Sequence, residues 1–242
     1  MTKILAITGG VGGAKLALGL SKVLTSDEVL FLVNTGDDFQ HLGLEISPDL
    51  DSLIYALSRK NNPELGWGRE NETWACISEL EALGAESWFR LGDRDLALHI
   101  VRTQMLNQGA TLQDVADRLC KALGVDHRIA PMSNDKISTT VNTADGKLPF
   151  QEYFVREKCE PTVTDFHFEG IENSNPNPVV MSWLDECDGI IICPSNPYVS
   201  VDTILSVPQY REVFQSKPVI AVSPIVGGLA IKGPAAKMMQ EL

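Results

Sequence analysis

Four stretches of this sequence hold residues whose types and spacing could do chemistry. The first is Gly9-Gly10-Val11-Gly12-Gly13-Ala14-Lys15. Glycines between an apolar run and a helical one expose backbone N–H groups at the positive end of a helix dipole, which suits a phosphate. Gly10, Gly12, Gly13 and Lys15 are the candidate phosphate contacts. Leu16, rather than Ser or Thr, follows Lys15, so this is no P-loop, and a lysine stands where a dinucleotide fingerprint needs its last glycine. A tight turn with close helix–sheet packing is the structural alternative.

The second stretch is acidic. Asp37-Asp38 close a strand-like run, and Asp49 and Asp51 open the next helix-like one. Carboxylates from two neighbouring loops can hold a Mg²⁺ that bridges phosphate oxygens. An acid in a first helical turn is favourable in any case, which explains Asp49 without a metal. The third stretch is Arg90-Leu91-Gly92-Asp93-Arg94-Asp95, followed by His99 and Arg102. Guanidinium forks clamp phosphates, but a surface Arg–Asp network with a helix cap at Asp93 would use the same residues. His99 sits on an apolar helix face and reads as structural. The fourth comprises Pro194-Ser195-Asn196-Pro197, Ser223-Pro224 and Lys232-Gly233-Pro234. Ser and Asn at strand ends can read a purine or hold a diphosphate, although turn chemistry also favours them. No nucleophile elbow, zinc-protease motif or Ser/His/Asp pattern is present, so covalent catalysis has no support.

These stretches punctuate an alternation of strand and helix. Apolar runs predict strands at Lys3–Thr8, Val29–Val33, Gly189–Cys193 and Pro218–Val222. Helical spacing covers Ala14–Leu24, Thr73–Leu83, Asp95–Asn107 and Thr111–Leu123, and Ser47-Pro48-Asp49 reads as a capped helix start. Thr111 and Asp114 have capping-box spacing. Ser138–Asn142 and Phe150–Val155 alternate around Asp145-Gly146, a hairpin signal, and 156–178 reads as a loop or short insertion. The sum is an α/β, Rossmann-like, doubly wound and mostly parallel sheet with a helical middle region and a small β-hairpin insertion. We expect one domain over residues 1–242, the insertions spanning roughly 50–178. Four loops then meet at the carboxyl edge of the sheet, where ligands bind in such folds.

Composition narrows the ligands. The chain has 242 residues with 20 Lys plus Arg against 32 Asp plus Glu, a formal net charge of -12. Its pI is about 4.7 and its mean hydropathy -0.01. An acidic surface disfavours nucleic acid and anionic membranes as partners. A small anion remains possible where backbone amides and cations converge. Five scattered cysteines without a C-x-x-C pattern read as free thiols. No apolar run is long enough to span a bilayer, and no signal peptide is recognisable, so a cytoplasmic protein is expected.

The same residues resemble the CofD family, 2-phospho-L-lactate transferases of coenzyme F-420 biosynthesis. The likeness runs through the glycine stretch, Val33-Asn34-Thr35-Gly36-Asp37-Asp38, Ile46-Ser47-Pro48-Asp49-Leu50-Asp51, Gly66-Trp67-Gly68 and Leu91-Gly92-Asp93-Arg94-Asp95. It continues through Arg102-Thr103, Pro131-Met132-Ser133, Phe150-Gln151-Glu152, Cys193-Pro194-Ser195-Asn196-Pro197 and Ala221-Val222-Ser223-Pro224-Ile225. The resemblance implies transfer of a phosphate-linked three-carbon acid from a guanylylated donor to the terminal hydroxyl of the deazaflavin Fo, with release of GMP and a requirement for Mg²⁺. It puts Asp51 and Arg90 at the deazaflavin. A carboxylate there can orient the incoming hydroxyl, the role we expect of Asp51. It puts the glycine loop, Ser195, Asn196, Ser223 and Lys232 on the guanosine diphosphate side, and the metal with Asp38 and Asp49. Phospholactate, phosphoenolpyruvate and phosphoglycerate all remain open as the transferred acid, and a homodimer is expected.

The rival reading is a nucleotide-sugar-binding regulator from the related gluconeogenesis-factor-like group. That group has a glycine- and serine-rich run after its Asp pair, where Phe39-Gln40-His41-Leu42-Gly43-Leu44 stands here. Two departures from the CofD pattern stand out. Asn134 occupies a position that is usually Asp, and the chain ends at Leu242, where a further C-terminal segment is expected.

Overall fold

A computed structural model describes residues 2–230 and 233–242. Strand β1 (Ile4–Thr8), helix α1 (Gly10–Leu20) and strand β2 (Val29–Val33) form the anticipated βαβ unit. β1 and β2 pair in parallel, Ile4 opposite Val29 and Thr8 opposite Val33. Their side chains alternate between two cores. Leu5, Ile7, Leu30 and Leu32 enter one, and Ala6, Phe31 and Val33 enter the other. Full burial of such a side chain contributes about 1.5–3 kcal/mol, so both faces demand a helical layer.

The chain next makes a hairpin absent from the sequence expectation, β3 (Phe39–His41) and β4 (Leu44–Ile46). Leu42 and Gly43, with φ of 52° and 75°, form its tight turn. Helices α2 (Pro48–Leu57), α3 (Ala75–Ala82), α4 (Asp93–Asn107) and α5 (Leu112–Leu123) follow. α5 is bounded as its sequence implies, by the Thr111–Asp114 capping box and by left-handed Gly124. Asp93 is indeed a cap, but of α3: its carboxylate accepts from the N–H groups of Ala75 and Cys76 at 3.1 and 3.0 Å. Glu72 returns the arrangement, accepting from Arg94 and Asp95 N–H at 2.9 Å each. Gly92 is needed there, because a Cβ would lie 2.3 Å from the Glu72 carboxyl carbon.

Strand β5 (Arg128–Pro131) pairs in parallel with β2. The 50–178 region therefore supplies an edge strand of the main sheet as well as insertions. Strands β6 (Ser138–Thr143), β7 (Gly146–Pro149) and β8 (Val163–Glu169) form a separate antiparallel sheet in the order β7-β6-β8. The turn at Asp145-Gly146 is as expected, but Phe150–Val155 is not its second strand. Pro149 has no N–H to extend the ladder, and the chain goes into a π-helical turn at Glu152–Arg156. The expected 156–178 loop contains β8.

After helix α6 (Pro178–Glu186) come β9 (Gly189–Ile192), a π-helical turn (Pro197–Val201), α7 (Asp202–Ser206), α8 (Tyr210–Gln215) and β10 (Val219–Ala221). A short hairpin, β11 (Ile225–Val226) and β12 (Leu229–Ala230), and helix α9 (Ala235–Glu241) complete the chain. The main sheet has the order β10-β9-β1-β2-β5, all parallel. α1, α2 and α5 cover one face, and α6, α7 and α8 cover the other. This is the doubly wound α/β fold inferred from the sequence, and its strand order reverses between β1 and β9. Cys120, Cys187 and Cys193 are buried free thiols, and Cys76 and Cys159 are partly so. Among the described residues, no helix is long and apolar enough to cross a membrane.

Candidate active site

The switch point between β1 and β9 is filled by the glycine stretch. α1 begins at Gly10, within the glycines rather than at Ala14, and ends at Leu20, short of Leu24. The absence of side chains lets its first turn press against the loop after β9. A Cβ on Gly12 would lie 2.6 Å from the Pro194 carbonyl oxygen, and one on Gly13 would lie 2.2 Å from Thr8 Oγ1 and 2.9 Å from Ser195 Oγ. Ser195 Oγ accepts from the Gly9 N–H at 3.0 Å. Gly10, at a φ of 63°, donates its N–H to the Asp49 carboxylate. The close-packing reading of these glycines therefore holds. Lys15 is exposed one turn further on.

Around Asp49 lies a group of enclosed acids. Asn34, fully buried at the end of β2, orders them. Its Nδ2 donates to Asp49 Oδ2 at 3.0 Å and to the Val199 carbonyl at 3.3 Å, while its Oδ1 accepts from Gly36 N–H at 3.0 Å. Asp38 Oδ2 accepts from Ser47 Oγ at 2.7 Å. Ser47 thus precedes α2 as expected but spends its hydroxyl on Asp38 and does not cap the helix. Burial pushes the Asp49 carboxyl up to about 6, against the lowering by Asn34 and Gly10. Burial also raises Asp38 well above the usual carboxylate range, and it raises Asp37 likewise with help from the Asp49 charge. Buried polar side-chain atoms without a hydrogen-bond partner among the described residues include Thr35 Oγ1, Asp37 Oδ1, Asp38 Oδ1, Thr139 Oγ1 and Thr203 Oγ1. Enclosed oxygens lacking donors are a set that a cation or ordered water satisfies. Asp38 and Asp49, the residues expected to hold Mg²⁺, are both enclosed acids with Asp37 nearby, but among the described residues the group whose ligand atoms have metal-site spacing is another one, Asp51, Asp95 and His99.

Two residues along α2, Asp51 belongs to a different network. Arg102, fully buried on α4, pairs with Asp51 Oδ1 and donates to the Glu45 carbonyl at 3.3 Å. His99 places Nδ1 3.6 Å from Asp51 Oδ2 and Nε2 3.5 Å from Asp95 Oδ2. Tyr55 OH donates to Asp95. Burial raises the Asp51 carboxyl, opposed first by the charge of Arg102. Ligand atoms of Asp51, Asp95 and His99 lie within 4.8 Å of one another, a spacing compatible with a metal ion. Arg102, one of the arginines considered for a phosphate clamp, spends its guanidinium on these internal partners. His99, expected among apolar neighbours, is part of this polar network. Asp95, His99 and Arg102 recur at helical spacing on one face of α4, a signal available in the sequence.

The remaining expected site residues lie apart from these clusters in their contacts. Arg90 is exposed, its guanidinium 4.7 Å above the Trp74 ring. Asn196 caps the turn after β9, its Oδ1 accepting from Tyr198 N–H at 3.0 Å. Ser223 is exposed, its Oγ accepting from Ile225 N–H at 3.1 Å. Lys232 lies outside the described residues.

A family model, described as 2-phospho-L-lactate transferase CofD, matches residues 4–242. The chain is 37% identical over 236 residues to the 2-phospho-L-lactate transferase of Methanosarcina mazei, covering 98% of this chain and 78% of that one. It is 40% identical over 245 residues to the phosphoenolpyruvate transferase of Kitasatospora aureofaciens, covering 98% and 76%. A crystal structure of a UPF0052-family protein from Bacillus halodurans shares the fold, with a TM-score of 0.63 and 20% identity, covering 90% of this chain and 67% of that one. Sheet, glycine turn and acidic loops thus agree with the sequence match, and the chain belongs to the CofD family of transferases.

Proposed function

We propose that the chain transfers a phosphate-linked three-carbon acid from a guanylylated donor to the terminal hydroxyl of Fo, releasing GMP, with Mg²⁺ as its cofactor. The observation that carries this reading is the set of partnerless carboxylate oxygens enclosed beside a glycine turn at the switch point. A dinucleotide fold with a glycine turn is common, but buried acids there call for a cation, and phosphate transfer uses one. In the reaction the acceptor oxygen bonds to the donor phosphorus that bears the three-carbon acid. The phosphoanhydride bond to GMP breaks, and the hydroxyl proton is released. Such a transfer relies on positioning and charge neutralisation more than on a protein nucleophile, and no nucleophile pattern is present.

The residues divide the task. Asp38 and Asp49 would hold Mg²⁺, which supplies charge neutralisation at the phosphate oxygens. Asp51 orients the acceptor hydroxyl, and Arg90 binds the deazaflavin from the surface beside Trp74. Gly10, Gly12, Gly13, Lys15, Ser195, Asn196 and Ser223 serve the nucleotide side. Relatives named for phospholactate and for phosphoenolpyruvate match at similar identity, and a pocket distinguishes such small differences by only about 1–3 kcal/mol. Turnover measured by mass spectrometry, with Fo, Mg²⁺ and each of three guanylylated donors in turn, tests the reading. We expect one donor to give the adduct of Fo with release of GMP. Neither product nor Fo binding with any donor would sink it and favour the nucleotide-sugar regulator.

A further inference from the structure

The geometry of the α2–α4 contact points to a role for a residue that the reaction as described leaves unused. We propose that Arg102 is the fixed counter-cation of Asp51, occupying the place a metal ion would take in the Asp51–Asp95–His99 triad, and acts as a positioning residue for the transfer. The proposal rests on the reading that Asp51 orients the acceptor hydroxyl.

Arg102 is held from three sides. Its Nη2 pairs with Asp51 Oδ1, and its Nη1 reaches the Glu45 carbonyl at 3.3 Å and His99 Nδ1 at 3.0 Å. A guanidinium only donates, so His99 Nδ1 accepts and the ring proton sits on Nε2, toward Asp95 Oδ2. The neighbouring Thr103 accepts from the Glu45 N–H at 2.8 Å and donates to the His99 carbonyl at 2.7 Å. Consecutive residues of α4 therefore grip both backbone groups of Glu45, and the guanidinium has little freedom. The triad has the spacing of a metal site, but a cation already touches two of its members, and a second positive ion there would be repelled at close range. Arg102 takes Oδ1 of Asp51 and leaves the buried Oδ2 without a hydrogen-bond partner, the oxygen this proposal assigns to the acceptor hydroxyl.

A double-mutant cycle on the full chain tests this, with acceptor and donor kinetics and thermal unfolding measured for Asp51→Asn, Arg102→Met and the pair. If Arg102 acts through Asp51, each single change lowers kcat about 100-fold or more, with the donor KM altered less than about 3-fold. The pair then falls no further than the worse single change, since effects of a coupled unit do not add. Independent losses that multiply in the pair, or near-normal turnover of Arg102→Met, would overturn the proposal. Full turnover of Asp51→Asn overturns the reading of Asp51 itself, a separate result. Should Arg102→Met fail to fold, Arg102→Lys keeps the charge but cannot reach Asp51, His99 and Glu45 together. A misplacement of that kind costs about 10-fold or more in kcat, and wild-type kcat in Arg102→Lys would count against the proposal.

Discussion

Asp49 and Asp51 stand two residues apart on α2 and live in opposite electrostatic settings. Asp49 faces other carboxylates, Asp37 and Asp38, and is held by neutral donors, the amide of Asn34 and the N–H of Gly10. Asp51 faces Arg102 and His99. The chain therefore places a cation in contact with one cluster, while in the other the charge of Arg102 reaches Asp38 without touching it and burial prevails. A buried charge is tolerated only when paired or when it neutralises itself. The Asp51 cluster takes the first route, and in the Asp37–Asp38–Asp49 cluster burial shifts the acids toward their neutral forms.

The largest contrast should appear in stability at neutral pH with a chelator present. Asp51→Asn leaves the Arg102 guanidinium without its charged partner in a fully buried place, and breaking such a pair costs about 3–5 kcal/mol. Asp38→Asn replaces a carboxyl that burial already pushes toward its neutral form, and Ser47 Oγ can still donate to the amide oxygen. Its change should stay within about 1 kcal/mol, of either sign. Urea unfolding of the two variants checks this, and equal losses would erase the distinction between the clusters.

A pH series sharpens the same contrast. With its folded value raised to about 6, Asp49 binds its proton more tightly in the folded state. The folded state then holds more protons than the unfolded state between about pH 4 and 6, so Asp49 makes stability fall as pH rises through that window. The full effect is about 3 kcal/mol at about 1.4 kcal/mol per unit. Asp49→Asn should remove it, so the variant gains on the parent across that range and the gap stays constant above it. Mg²⁺ competes with the proton for the same oxygens. It should raise the melting temperature of the parent more at pH 7.5 than at pH 5.5, and little in Asp49→Asn.

How much of this was legible depended on sequence distance. β1, β2 and α5 declare themselves through apolar runs, glycine punctuation and a local capping box. The true start of α1 was hidden, because helical glycines make sense only beside the Pro194 carbonyl and Ser195, far along the chain. β3, β4 and β5 are too short for their periodicity to stand out, and β8 is interrupted by charged and polar residues. In the site, the acids were legible by type and spacing. Their division into two clusters was not, because it depends on Arg102 arriving from a helix 51 residues away from Asp51. The i, i+4, i+7 face of Asp95, His99 and Arg102 was readable, but its partner was not.

Asn134 offers the mildest perturbation, a charge added outside both clusters. Its Oδ1 accepts from the Gln113 N–H at 2.9 Å, in the first turn of α5. An aspartate would accept the same bond and place a negative charge at a helix N-terminus, worth about 0.3–1 kcal/mol at an exposed site. Asp114 already occupies that turn, and repulsion between the two acids cancels part of the gain. Asn134→Asp should therefore stabilise by less than about 0.5 kcal/mol in urea unfolding. Because β5 lies two strands from the β1–β9 switch point, the relative turnover of the three donors should not change. A shift in donor preference would mean that the charge balance of the site extends past β2 to the far edge of the sheet.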